Sequence, residues 1–254
     1  MSDFDRASAR SIPTAADMSV DAGLRKFMLG VYNKLGLGLL LSAGMAYLTS
    51  GPLSSFMFRD GQVELPNGQL VHTVGYTGLG WAVAFAPIAI ILFSNFVLRS
   101  INPRTASIVY WSIVTLIGAS LGTVVKLYTG ASVVSTFLIT ATAFGSLSLV
   151  GYTTKKDLTG MGSFLIMGLI GLIIAMVVNV FIQNDMMAFI ISALGVLIFA
   201  GLTAYDTQKL KMTYYQVGGN EAAASVATSY GALRLYLDFI NMFQFLLMLL
   251  GNRR

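Results

Sequence analysis

Charge is what this sequence has least of. Of its 254 residues, 16 are Lys or Arg and 11 are Asp or Glu, so 11% are charged, against about 25% in an ordinary soluble domain. A soluble globule of this length needs a mixed, charged surface, and the scarcity argues against a soluble enzyme or a cytosolic binding domain. The net charge is only +5, and the sequence contains no dense block of Lys and Arg. Both features argue against a nucleic-acid-binding protein.

Cysteine is absent, and histidine occurs once, as His72. The first absence excludes a disulfide framework, a thiolate metal site and a cysteine nucleophile. A single histidine leaves almost no room for a His-rich zinc site or a Ser-His triad. No nucleotide-binding loop is visible either. We therefore expect no enzyme activity and no resident cofactor.

Apolar residues, by contrast, make up 56% of the chain and fall into seven segments of about 20 residues, the length that a helix needs to cross a bilayer. The segments are 27–47, 79–98, 106–125, 132–152, 163–182, 187–205 and 230–250. Their runs do not alternate, which rules out a barrel. The sequence predicts an all-α membrane protein, a seven-transmembrane-helix bundle over residues 27–254, behind a polar cytoplasmic tail of residues 1–26.

One loop, residues 49–78, is long enough to have structure of its own. It contains the dipeptides Asp60-Gly61 and Asn67-Gly68, both of which favour tight turns between strands. A small hairpin is therefore expected on the outer side.

Lys and Arg positions predict the orientation. With the N-terminus inside, two cations, Arg59 and Lys126, fall at outer ends. Eleven fall at inner ends: Arg6, Arg10, Arg25, Lys26, Lys34, Arg99, Arg104, Lys155, Lys156, Lys209 and Lys211. We therefore expect a cytoplasmic N-terminus. The side of the C-terminus stays open, because the last segment could be a seventh crossing or re-entrant.

Two acids lie at or within the apolar segments, Asp206 at the inner end of the sixth and Asp238 in the seventh. An ionised carboxylate in a membrane costs a few kcal/mol, so such residues usually face a cavity or a partner. At 100° per residue each acid lies on a polar stripe, and these stripes supply candidate pore-lining residues. They are Thr203 on the sixth segment and Arg234, Asn241 and Gln244 on the seventh.

The two acids can meet only if the seventh helix starts later or the sixth continues past Gln208. Together they would share a proton and titrate as one unit, which makes a proton-sensitive element. Arg99 is our first candidate for a basic latch on the pair, with Arg104 and Arg234 as alternatives. The competing interpretation is a structural knot that pins the bundle.

The motifs Ala204-Tyr-Asp-Thr-Gln208 and Leu235-Tyr-Leu-Asp-Phe-Ile-Asn241 resemble those of the Bax inhibitor motif family of multi-pass membrane proteins, in its bacterial branch. The resemblance covers roughly residues 20–254 and implies six helices around a central last helix. It also implies a pH-sensitive calcium leak whose sensor maps onto Asp206 and Asp238, with Arg99 near the place of the family's latch. Some relatives carry a basic residue late in the last helix, which this chain lacks before Arg253.

The prediction is thus a pH-sensitive calcium leak channel, in which Asp206 and Asp238 bind calcium transiently. The implied partners are the lipid bilayer, calcium ions, protons and a membrane protease or other membrane protein, and the implied location is a bacterial inner membrane. One alternative is a regulatory protein acting on a protease or a cell-death factor. Another, an intramembrane aspartyl protease, is disfavoured because Leu235-Tyr-Leu precedes Asp238 where such enzymes have Gly-x-Gly.

Overall fold

A computed structural model describes residues 22–64, 70–97, 102–217 and 219–253, and most of them are helical. Most of the predicted N-terminal tail lies outside these residues. In chain order the elements are α1 (Ala22–Ser50), α2 (Ser54–Met57), β1 (Phe58–Glu64), β2 (Leu70–Tyr76), α3 (Gly78–Val97), α4 (Pro103–Ser120), α5 (Gly122–Leu127), α6 (Gly130–Thr153), α7 (Thr159–Ile182), α8 (Asp185–Gln216) and α9 (Glu221–Leu250).

Within the described residues, six stretches are long and apolar enough to cross a membrane. They are Ala22–Ser50, Pro103–Leu127, Gly130–Thr153, Thr159–Ile182, Asp185–Gln216 and Glu221–Leu250. The chain is therefore a multi-pass α-helical membrane protein. The second predicted segment corresponds to α3, whose described apolar part, Gly78–Leu92, is shorter than these six. Pro87 lies inside α3, where it removes one backbone hydrogen bond.

Polar side chains define where several helices begin. Asn102, Thr129, Asn184 and Asn220 each accept a backbone N–H from the first turn of the following helix, which satisfies a donor that has no partner within the helix. The last of these caps starts α9 at residue 221, and α8 continues to residue 216. Both helices therefore extend well beyond the predicted apolar segments.

The third predicted segment, 106–125, was expected to be one helix, and the structure divides it into α4 and α5. The hydroxyl of Thr49 on α1 donates to the carbonyl oxygen of Ala119 at 2.9 Å and so competes with the helical ladder there. Gly118 permits the approach, because a Cβ at this position would lie 2.5 Å from the Cα of Ser42. A contact from another helix, which the local sequence does not contain, thus accompanies the boundary between α4 and α5.

The loop between α1 and α3 contains an antiparallel hairpin of β1 and β2, in register from Phe58 opposite Tyr76 to Glu64 opposite Leu70. Asp60-Gly61 lies inside β1, so its interpretation as a turn was wrong. Asn67-Gly68 lies outside the described residues.

The last helix, α9, packs against α1, α4, α6 and α8. In the most apolar 18-residue stretch of α9, 56% of the residues are buried, against 6% in that of α7. Its 30 residues form one uninterrupted helix of about 45 Å. Beyond it, Asn252 accepts the N–H of Thr129 at 3.0 Å and donates its own N–H to Ser132 at 3.0 Å. Asn252 therefore lies beside the start of α6, and α9 is continuous over its 30 residues.

Candidate functional site

The two intramembrane acids lie on neighbouring antiparallel helices, α8 and α9, joined by the turn at residues 217–220. Of the two conditions for their meeting, the structure fulfils one, because α8 continues past Gln208 to Gln216. This extension brings Asp206 level with the middle of α9. Arg234 and Asp238 are four residues apart on α9, so both side chains lie on the same face, one helical turn from each other.

The carboxyl groups of Asp206 and Asp238 are close enough to interact electrostatically with each other. Asp206 also accepts a hydrogen bond from Nη1 of Arg234 at 3.2 Å. The Asp206 side chain is 9% exposed and that of Arg234 is 48% exposed, so a buried acid is paired with a half-exposed guanidinium. Oδ2 of Asp238 is buried without a hydrogen-bond partner among the described residues. Two carboxyl groups thus share one cation in the bundle interior.

The candidate latches have different positions. Arg99, the first candidate, lies outside the described residues. Arg104 is exposed at the start of α4, where its N–H donates to the Asn102 side chain. Arg234, an alternative in the sequence analysis, forms an ion pair with Asp206. Arg234 is therefore the basic partner that the described structure gives to the acids.

The other pore-lining candidates do not join this cluster through hydrogen bonds. Thr203 is fully buried and donates its hydroxyl to the carbonyl oxygen of Phe199 at 2.8 Å. Asn241 donates its amide to the carbonyl oxygen of Leu237 at 2.7 Å. Gln244 is half-buried one turn further along α9. The first two side chains thus direct their donors to their own helices.

A cavity of about 510 Å³ borders the acid pair between α3, α4, α8 and α9. Its polar lining residues are Asp206, Lys209, Thr213, Tyr230 and Arg234, and the rest of the wall is mostly apolar. The lining ends at Leu237 on α9, so Asp238 lies behind Asp206 and Arg234 as seen from the cavity. We call this space the acid-pair cavity.

The donor set does not fit a resident metal. Across the described ranges, no three or more His, Cys, Asp or Glu side chains are grouped to hold an ion. Calcium takes six to eight oxygen ligands, whereas this site offers two carboxyl groups, one of them paired with Arg234.

Sequence reasoning missed a second intramembrane cation. Lys34 was assigned to the inner end, but the structure places its Nζ between the hydroxyls of Ser107 at 3.0 Å and Ser229 at 2.8 Å. The amine also lies 5.1 Å from the centre of the Tyr110 ring. Because Lys34 is seven residues into the first apolar segment, the rule that flagged the two acids also applies to it. It ties α1 to α4 and α9.

A third group, also unforeseen, fixes the α6–α7 loop to α8. The Gln208 side chain accepts the N–H of Leu158 at 2.8 Å and donates to the carbonyl oxygen of Lys156 at 2.7 Å. Lys211 is 3% exposed and donates to the carbonyl oxygen of Tyr152. These bonds anchor the end of the bundle next to Asp206.

Fold and site together define a multi-pass α-helical membrane protein with a pair of buried acids on its last two helices. The family model described as "Inhibitor of apoptosis-promoting Bax1" matches residues 24–254, and the chain belongs to this Bax inhibitor-1 family. A protein of Caulobacter vibrioides is 58% identical, with 100% of both chains covered. Protein RP147 of Rickettsia prowazekii is 41% identical over 95% of each chain. Inner membrane protein YbhL of Escherichia coli is 36% identical, covering 92% of this chain and 94% of its own.

Proposed function

We propose that this protein is a passive, proton-regulated leak channel for cations, with calcium as the permeant ion. The observation that carries the proposal is the cluster of Asp206, Asp238 and Arg234 beside a cavity of about 510 Å³. Buried acids in membrane helices usually mark ion or proton pathways. The family resemblance favours calcium, and oxygen-only ligands suit this hard cation.

Proton binding changes the charge of this cluster. With both carboxyl groups ionised, two negative charges face one guanidinium, and one bound proton makes the cluster neutral. An entering calcium ion would compete with Arg234 for Asp206, and the half-exposed arginine is free to move towards water when displaced. The protonation state would therefore control how strongly the site attracts a cation.

We further propose the complete topology. α3 would supply a crossing in addition to the six long spans, and α9 would be the central helix, since four helices pack on it. Arg25, Lys155, Lys156 and Lys209 belong to the end of the bundle where α1 begins and the α8–α9 turn lies, which supports a cytoplasmic N-terminus. The Escherichia coli relative is named an inner membrane protein, and we propose the same membrane here.

The test measures calcium flux into liposomes that contain the purified full-length protein, at a series of pH values. Asp206→Asn and Asp238→Asn should each change the pH dependence of the flux. The matched control is Asp185→Asn, which alters an exposed acid in the first turn of α8 and should leave the profile unchanged. Flux and pH response identical to wild type in both acid variants would reject the proposal.

The family description, which speaks of an inhibitor of an apoptosis-promoting factor, favours one alternative, a regulatory role through another membrane protein. Deleting residues 2–21, which precede α1, separates the two functions. Loss of the cellular phenotype with unchanged liposome flux would favour the regulatory role. We propose no protease activity. An aspartyl protease would need Asp206 to share a proton with Asp238, and here the carboxylate of Asp206 is paired with Arg234.

A further inference from the structure

A slot lies between α1 and α6, and the hydrogen bond between the hydroxyls of Tyr32 and Ser148 bridges it at one level. α1 packs on α4, α5, α8 and α9, whereas α6 packs on α5, α8 and α9. Between the two helices lies a cavity of about 710 Å³ with Leu29 and Gly36 on one wall, Gly145 and Leu149 on the other, and Phe239 of α9 as its floor. A second cavity of about 180 Å³ shares Leu39 with it. The slot thus extends along the bundle.

The walls leave room for something that is not protein. A Cβ added at Gly36 or at Gly145 would meet nothing within 4 Å. Leu29 and Leu149 at the rim are 52% and 63% exposed, so the slot opens sideways, towards the hydrocarbon of the bilayer. A volume of about 710 Å³ holds roughly 20 methylene-sized groups of about 30 Å³ each, enough for one acyl chain.

The slot has charge at one end. Arg25, in the first turn of α1, is the only one of its lining residues in the described chain that carries a full charge, and Lys26 is exposed next to it. An acyl chain in the slot would bring its headgroup phosphate to this cationic end. We propose that the slot binds an anionic glycerophospholipid, with the phosphate at Arg25 and one acyl chain between α1 and α6 against Phe239.

Hydrogen bonds run from the wall of the slot to α8, next to the acid pair. The hydroxyl of Tyr32, on the α1 wall, is hydrogen-bonded to that of Ser148 on α6, which in turn bonds Thr207 of α8 at 2.9 Å. Thr207 follows Asp206 in the chain, and the floor residue Phe239 follows Asp238. The slot therefore borders the helices that carry the acids, and lipid binding there does not depend on the proposed channel function.

Native mass spectrometry of the full-length protein in detergent micelles tests the site, with dioleoyl phosphatidylglycerol and dioleoyl phosphatidylcholine as probes. Wild type should bind the anionic lipid about fivefold more tightly, because one basic residue near an anionic headgroup contributes about 1 kcal/mol, whereas the choline of phosphatidylcholine offsets its phosphate. Arg25→Gln should abolish this preference, and Lys26→Gln should keep it. Gly36→Leu should fill the slot and weaken binding of both lipids, whereas Gly44→Leu, an equally open position on α1 outside the slot, should not.

Gly145→Leu fills the slot from the other wall and should reproduce the effect of Gly36→Leu. Equal binding in the variants at positions 36 and 44 would overturn the proposal. Equal loss in Arg25→Gln and Lys26→Gln would do the same, because it would indicate diffuse surface attraction. Calcium flux is measured separately on the same proteins. Absence of calcium flux in wild type would refute the proposed channel function. The mass spectra would still test the lipid site, because they do not depend on flux.

Discussion

The ion pair between Asp206 and Arg234 predicts an asymmetry between two substitutions. In Asp206→Asn the remaining arginine is half exposed and can reach water. In Arg234→Gln the carboxyl group of Asp206 loses its ion pair while that of Asp238 stays buried behind it, since the two residues as wholes are 6% and 4% exposed. We therefore expect the arginine substitution to destabilise the protein more.

The distance sets the scale of the effect. Unit charges 3.2 Å apart attract by about 5 kcal/mol at an effective dielectric constant of 20 and by about 1.3 kcal/mol in bulk water. Because the guanidinium is 48% exposed, solvent screening brings the coupling near the lower value, about 1–2 kcal/mol. Removing one partner of a fully buried pair costs about 3–5 kcal/mol. Because solvent screens the half-exposed arginine, we expect a smaller loss in the free energy of unfolding, about 2–3 kcal/mol for Arg234→Gln and less than about 1 kcal/mol for Asp206→Asn.

A double-mutant cycle measures these quantities. Unfolding in mixed micelles of increasing dodecyl sulfate content, followed by tryptophan fluorescence at pH 7.5, gives the free energy of unfolding of wild type, both single variants and the double variant. Arg104→Gln, at an exposed arginine, is the control and should change stability by less than about 0.5 kcal/mol. A coupling energy near zero, or a cost for Asp206→Asn equal to that of Arg234→Gln, would refute the reasoning.

Two further predictions concern stability outside this cluster. Gly151→Ala should lower the free energy of unfolding by about 1–3 kcal/mol, because its Cβ would lie 2.2 Å from the Ala204 carbonyl oxygen. Gly145→Ala on the same helix meets nothing within 4 Å and should be neutral or slightly stabilising; equal losses would contradict this. The side chain of Asp157 accepts hydrogen bonds from the hydroxyl and the N–H of Thr159, and these bonds, the hydroxyl's first, lower its pKa below the ordinary value of 3.8. The ionised carboxylate therefore stabilises the folded protein above pH 3.8, and this stabilisation is lost as the pH falls through the lower pKa of the folded state. Asp157→Asn should therefore lower the unfolding midpoint at pH 7 but not near pH 2, and an equal shift at both would contradict the assignment.

Hydropathy predicted the apolar, membrane-spanning stretches better than it predicted where the helices begin and end. The apolar segment 230–250 marks the part of α9 that hydrocarbon must surround, yet the helix begins at Glu221. The first turns of α9 are polar, and Asn220 caps them. An apolar window does not register this extension, because a helix can leave the membrane without ending. The same holds for α8, whose end at Gln216 allows the two acids to meet.

Contacts between distant helices set the limits of prediction inside the spans. The end of α4 lies against the Thr49 hydroxyl, which contacts the carbonyl oxygen of Ala119 from 70 positions away along the chain. Lys34 is similarly held by serines of two other helices, Ser107 and Ser229. An intramembrane charge could be flagged from the sequence, but its partners depend on which helices are neighbours, and a single sequence does not contain that information.

The partner of the acids, by contrast, follows from the turn between α8 and α9. Asp206 lies 14 residues before Asn220, and Arg234 lies 14 residues after it, so the two meet when the helices run back along each other from that point. Asn220 fixes the start of α9 by accepting the N–H of Ala223 at 3.0 Å. One residue inserted into α9 between Asn220 and Arg234 would shift the helix beyond it by about 1.5 Å and turn its faces by about 100°, moving Arg234 away from Asp206. The pairing in the buried site therefore depends on the helical register between the Asn220 cap and Arg234.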